Sequence, residues 1–138
     1  MVRRSDERLA DLTVVLDAGA VIGLARGDQR WRERLRQLRL GGAQIVVPAV
    51  VVAETVRGAG PRDAPVNHIL SGIDHVVPLS ERVARDAGRR LAMARRSDTI
   101  DAIVVAEAAL RGPSVVFTAD EADLARFVER TDDLRLVS

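Results

Sequence analysis

The sequence predicts an α/β domain: an open, mostly parallel β-sheet flanked by helices on both faces. Three observations predict it. Short apolar runs rich in Val and Ile alternate with longer segments of helical periodicity from one end of the chain to the other. The runs are continuously apolar, as strands buried on both faces are. The 138 residues suffice for one well-buried core and are too few for two.

Residues 1–12 form a polar lead-in, and the domain proper is expected to span 13–138. TVVL at 13–16 is the first strand, stopped by Asp17, and AGAVIGLARG is a short helix ending at Gly27. Between Asp28 and Leu40, Trp31, Leu35, Leu38 and Leu40 approximate helical spacing, with four arginines on the other faces and Gly41-Gly42 as the stop. QIVV at 44–47 is the second strand, and Pro48 suits the first turn of the helix AVVVAETVRG. AGPRDAP at 59–65 reads as a loop, and 66–72 as a short helix. HVVPL at 75–79 is the third strand. Ser80 caps the next helix, with Val83, Ala84, Ala87, Leu91 and Met93 toward the core. SDTIDAIVVAEAALRG at 97–112 is a helix, SVVFT at 114–118 a strand, DEADLARFVERT at 120–131 a helix, and LRLV at 134–137 the last strand.

Composition excludes several chemistries. With no Cys there are no disulfides and no thiolate nucleophile. All 21 basic residues are Arg, so a P-loop lacks its Lys and Schiff-base catalysis is ruled out. Two His, at 68 and 75, make a His-rich metal site a poor expectation. Trp31, Phe117 and Phe127 are too few aromatics for a base-stacking platform. The net charge of +1 argues neither for nor against a nucleic-acid partner. No apolar run is long enough for a membrane span, and the charged N-terminus lacks a signal-peptide stretch, so no membrane and a cytoplasmic location are expected.

The acids fall in a pattern. Asp17 and Asp120 directly follow strands, at the carboxyl ends where open α/β sheets build sites. Glu54 lies two turns into the helix after the second strand, and Asp98 and Asp101 open the helix before SVVFT. Each has an ordinary explanation. Asp17, Asp98 and Asp120 stand where N-caps stand, Thr118 to Glu121 fits a capping box, and Glu54 has Arg57 three residues on. Gathered together, the acids need more than that. Two carboxylates ~6 Å apart repel by roughly 3 kcal/mol at an effective dielectric of 20, and the six pairs of a quartet by about 17 kcal/mol before screening. That exceeds the ~5–15 kcal/mol net stability of a domain. With no Lys and no nearby His, a hard divalent cation is the relief, and all-oxygen ligation suits Mg²⁺ or Mn²⁺.

Four blocks in this order, VVLDAGAVIGLARG, PAVVVAETVRG, SDTIDAIVVAEAA and VVFTADEADLARF, resemble the PIN-domain ribonucleases, most of all the VapC-type toxins of bacterial toxin–antitoxin pairs. The resemblance covers roughly residues 13–137 and implies a single PIN-like domain. It implies Asp17, Glu54, Asp101 and Asp120 as the catalytic acids and metal ligands, with Asp98 and Asp123 in reach of the same pocket. It further implies Mg²⁺- or Mn²⁺-dependent hydrolysis of RNA phosphodiester bonds, a homodimer, and a small antitoxin as partner. Thr118 matches a small hydroxyl residue often found before the last acid. The chain departs from the pattern at Gly19, where many relatives carry Ser or Thr. Arg57, Arg95 and Arg96 are the arginines nearest the acids in sequence and could grip an RNA backbone. Two other readings compete: a PIN-fold binding module that does not cut, and a PIN-type nuclease acting on structured DNA or in RNA maturation.

Overall fold

The computed structural model describes residues 9–138. The polar lead-in therefore lies mostly outside the described residues. Five strands, β1 (Thr13–Leu16), β2 (Gln44–Pro48), β3 (His75–Val77), β4 (Ser114–Phe117) and β5 (Leu134–Val137), form one sheet in the order β3-β2-β1-β4-β5. Every pairing is parallel. The helices are α1 (Ala18–Ala25), α2 (Gln29–Leu40), α3 (Ala49–Thr55), α4 (Gly60–Ser71), α5 (Glu81–Ala94), α6 (Thr99–Leu110) and α7 (Glu121–Ala125).

From β1 the chain steps outward to β2 and β3, then crosses back to β4 and β5 on the other side. Right-handed crossovers put α1–α4 and α5–α7 on opposite faces. The packing agrees: α1 contacts α2, α3 and α4, whereas α6 lies on β1 and β4 between α5 and α7. The central strands are apolar throughout because both faces are covered; Val14, Val15, Leu16, Ile45, Val46 and Val47 have no exposed surface. α6 is buried almost all round, from Ala102 to Ala108. That burial holds its first turn, with Asp101, against the sheet.

Three local expectations are corrected. α4 starts at Gly60, not after residue 65. The buried Asp63 carboxylate accepts the N–H groups of Arg57 (3.1 Å) and Ala59 (2.9 Å), and Pro61 sits in the first turn, where its missing N–H costs nothing. α7 ends at Ala125 rather than running to 131. Arg90, buried on α5, takes the Phe127 carbonyl (2.8 Å) and both oxygens of Asp132 (2.6 and 2.9 Å), and Asp132 also accepts the Glu129 N–H (2.7 Å). Those bonds fold the 126–133 segment into turns against α5. Third, Leu40 and Met93 face solvent, at 71% and 74% exposure, and Ala84 is exposed as well. Trp31 is core, its ring 6.5 Å from that of Phe117.

Candidate active site

Asp17 leaves the carboxyl end of β1 and Thr118 that of β4. Leu16 is in register with Phe117, and the Asp17 N–H donates to the Phe117 carbonyl at 3.1 Å. β1 and β4 are the two strands between which the direction of strand succession reverses. In open α/β sheets that crevice is the natural ligand site.

Asp17 is buried, at 8% exposure. Its Oδ1 accepts the Ala20 N–H at 2.9 Å, so it does cap α1 as its position suggested. The Thr118 side chain beside it lowers its proton affinity. Burial pushes the carboxyl up nonetheless, with Asp120 adding to the effect. The Thr118 hydroxyl, itself fully buried, accepts the Asp120 N–H at 2.9 Å. The capping box expected from Thr118 to Glu121 is therefore not the arrangement present.

The capping explanations for the other two aspartates do not hold. Asp98 and Asp120 occupy N-cap positions of α6 and α7, yet neither side chain makes a capping bond. Asp98 turns to Arg96 at 2.9 Å. Asp120 is exposed, and its contact with the Asp123 carboxyl, followed by partial desolvation, pushes it up. Asp123 in turn lies 3.7 Å from Arg126.

Asp101, half-buried in the first turn of α6, is pushed up to about 6. Burial is the main cause, followed by the charges of Asp98, Asp17, Glu54 and Asp123. Glu54 is exposed on the last turn of α3 and is likewise pushed up, by desolvation and by the charge of Asp17. Its expected partner looks elsewhere: the Arg57 guanidinium donates to the Ala53 and Val56 carbonyls at 2.9 and 3.1 Å. Among the described residues no ion pair includes Asp17, Glu54, Asp101 or Asp120.

All six acids read from the sequence thus lie within one another's electrostatic reach, brought there by β1, α3, α6 and the β4–α7 turn. As they lie, no three acids or histidines among the described residues stand close enough to hold one ion. The donor set still suits a divalent cation: it is carboxylate only and carries raised proton affinity, with Arg57 and Arg126 offsetting part of the charge at Glu54 and Asp120 without pairing to them. Arg95, with φ 54°, takes the left-handed conformation that ends α5, and is exposed. His68 and His75 are exposed and belong to other parts of the molecule.

Gly19 has a packing explanation that sequence reasoning missed. A Cβ there would lie 2.7 Å from the Ala119 Cβ, closer than side chains pack. The methyl of Ala119 fills the space that a side chain at 19 would need. The signal existed in the sequence as a Gly two residues beyond Asp17 and an Ala directly after Thr118, but only the strand register brings them together.

The PIN domain family profile matches residues 14–129. Among solved structures, a chain of the crystal structure of VapBC2 from Rickettsia felis bound to a DNA fragment from their promoter aligns over 91% of this chain and 99% of its own, with TM-score 0.71 and 12% identity. A chain of VapBC-1 from nontypeable Haemophilus influenzae aligns over 91% and 97%, with TM-score 0.68 and 18% identity. A chain of FitAcB from Neisseria gonorrhoeae aligns over 91% and 96%, with TM-score 0.63 and 19% identity. At these identities the likeness is one of fold. No curated protein matches the sequence significantly.

Proposed function

This chain belongs to the PIN-domain family, and from that premise we propose that it is a Mg²⁺- or Mn²⁺-dependent endoribonuclease and the toxin of a toxin–antitoxin pair. The observation that carries the reading is the field at Asp101. Burial and four other carboxylates, drawn from three other segments and its own helix end, act on it, and among the described residues no cation pairs with it.

Asp17, Glu54, Asp101 and Asp120 would hold the ion, with Asp98 and Asp123 at the rim. When bound, a divalent cation acidifies water and neutralises charge on the leaving oxygen of a phosphodiester. The chain's own groups do the rest. The Thr118 oxygen holds the Asp120 N–H, and the same side chain lowers the proton affinity of Asp17, so one residue acts on both acids. The Ala20 N–H occupies Asp17 Oδ1, leaving Oδ2 the freer of the two oxygens. Asp101 keeps its proton at mildly acid pH and must give it up for an ion to bind. Arg95 and Arg96 stand at the start of α6, beside Asp98, where a phosphate chain could be gripped.

A small antitoxin as partner is supported by the likeness of fold to chains of VapBC complexes. A homodimer and a cytoplasmic location belong to the same reading; among the described residues no helix is long and apolar enough to cross a membrane.

A second reading, a PIN-fold module that binds without cutting, is favoured by the spacing of the acids, no three of which stand close enough among the described residues to hold one ion. One assay separates the two. RNA cleavage is measured with Mg²⁺ or Mn²⁺, with EDTA, and with Asp17→Asn. The proposal expects cleavage only in the first condition; equal activity in all three overturns it.

A further inference from the structure

A cavity of about 510 Å³ opens beside the acids, between the start of α2 and the far end of α1. Its lining includes Gly19, Arg26, Asp28, Arg30, Trp31 and Ala119. Its wall meets the acidic crevice directly: the position of a Cβ on Gly19 lies 3.5 Å from Asp17 Oδ1, and Ala119 stands between Thr118 and Asp120.

The charges in the cavity are unbalanced. Arg26 and Arg30 are exposed and enter no ion pair among the described residues. The neighbouring Asp28 spends its Oδ1 on the Trp31 N–H at 3.1 Å, capping α2. Other arginines among the described residues are unpaired too, but Arg26 and Arg30 line the cavity that adjoins the acids. The cavity also has no face for a base, because Trp31 is only 6% exposed. What it presents is two guanidinium groups over a floor of small residues, and guanidinium matches phosphate bidentately.

We infer that this cavity is a backbone subsite for RNA: Arg26 and Arg30 hold a phosphate of the strand next to the one placed at the acids. This deepens the ribonuclease reading and rests on it. The subsite reads no sequence, since phosphate contacts position a strand without identifying its bases.

The test is equilibrium binding of a short single-stranded RNA in EDTA at several salt concentrations. The proteins are the wild type, Arg26→Gln/Arg30→Gln, and Arg85→Gln, which removes a solvent-exposed arginine paired to Glu81. The double variant should bind about tenfold more weakly, with the salt slope smaller by about 0.7, while keeping the wild-type melting temperature; Arg85→Gln should bind like the wild type. Unchanged affinity and slope in the double variant, with the wild type binding, overturn the subsite and leave the nuclease reading standing. A wild type that binds no RNA removes both. Equal, arginine-dependent binding of an oligoglutamate of matching charge would assign the cavity to an acidic protein segment and overturn the RNA assignment.

Discussion

Asp17 and Thr118 stand side by side at the carboxyl ends of two adjacent parallel strands, and the Thr118 hydroxyl accepts the Asp120 N–H while its side chain holds down the proton affinity of the Asp17 carboxyl. One buried side chain therefore acts on two acids that the chain order keeps far apart.

Thr118→Val keeps the shape, removes the acceptor of the Asp120 N–H and takes away the hydroxyl beside Asp17. It leaves the Asp120 N–H without its partner and raises the proton affinity of Asp17 further. RNA cleavage should fall roughly 10–100-fold, the range for residues that orient metal ligands, and stability by about 1–3 kcal/mol. Cleavage kinetics and urea unfolding of the same variant read the two effects.

The metal-free protein should lose stability as pH rises. The Asp101 carboxyl has its folded-state affinity raised from 3.8 to about 6, so the folded state binds the proton more tightly than the unfolded one. Its contribution is complete below about pH 4 and is lost as pH climbs through about 6. Asp17 and Glu54, also pushed up, act in the same direction. Thermal melts in EDTA should therefore show a falling melting temperature from pH 4.5 to 7.5, whereas Mg²⁺ or Mn²⁺ should raise it more at the upper end than at the lower. A flat profile with no metal response would contradict the gathering of these acids.

Asp101→Asn should separate stability from activity. It deletes a charge that four neighbouring carboxylates oppose, so the metal-free variant should melt higher than the wild type at neutral pH. Cleavage should drop to the EDTA background. A variant that melts lower and still cuts would place Asp101 outside the metal centre.

Gly19→Ser should destabilise the fold by about 1–3 kcal/mol, the usual range for overpacking, because its Cβ meets the Ala119 Cβ at 2.7 Å. Ala119→Gly in the same chain should restore most of that loss. Chemical denaturation of the two single variants and the double variant gives the coupling between the sites.

Arg90→Met removes a buried guanidinium that holds Asp86 (2.8 Å), Asp132 and the Phe127 carbonyl. Asp86 keeps Arg89 (2.8 Å), but the buried Asp132 is left without its guanidinium, so the loss should be about 3–5 kcal/mol. Proteolysis should then begin within 126–133, the segment those bonds hold in turns.

Local chemistry that repeats along the chain was legible without coordinates. Unbroken apolar runs such as TVVL and QIVV marked strands covered on both faces, and their alternation with helices required a parallel sheet. The placement of Asp17 at the sheet's carboxyl edge was legible because it directly follows such a strand, and Asp120 comes three residues after β4 ends. The capping of α5 by Ser80 was legible too, and its hydroxyl accepts the Val83 N–H at 3.1 Å. α4 and α7 were misread because one buried side chain apiece decides them. Asp63 starts a helix across two prolines, and Arg90 stops one from a different element. Neither bond leaves a local pattern.

What the amino-acid order determined by itself was the set of elements and the kinds of atoms available: oxygen donors in abundance, guanidinium as the cation at neutral pH, no thiol and no lysine. What only the tertiary structure decided was which of those atoms meet. Parallel register placed Thr118 beside Asp17 and Ala119 against Gly19, and the burial of α6 turned Asp101 toward acids from three other segments. The reason is the range of the forces. Propensity and capping act within a turn or two of the chain, whereas burial, charge and close packing act through space between residues the sequence keeps far apart.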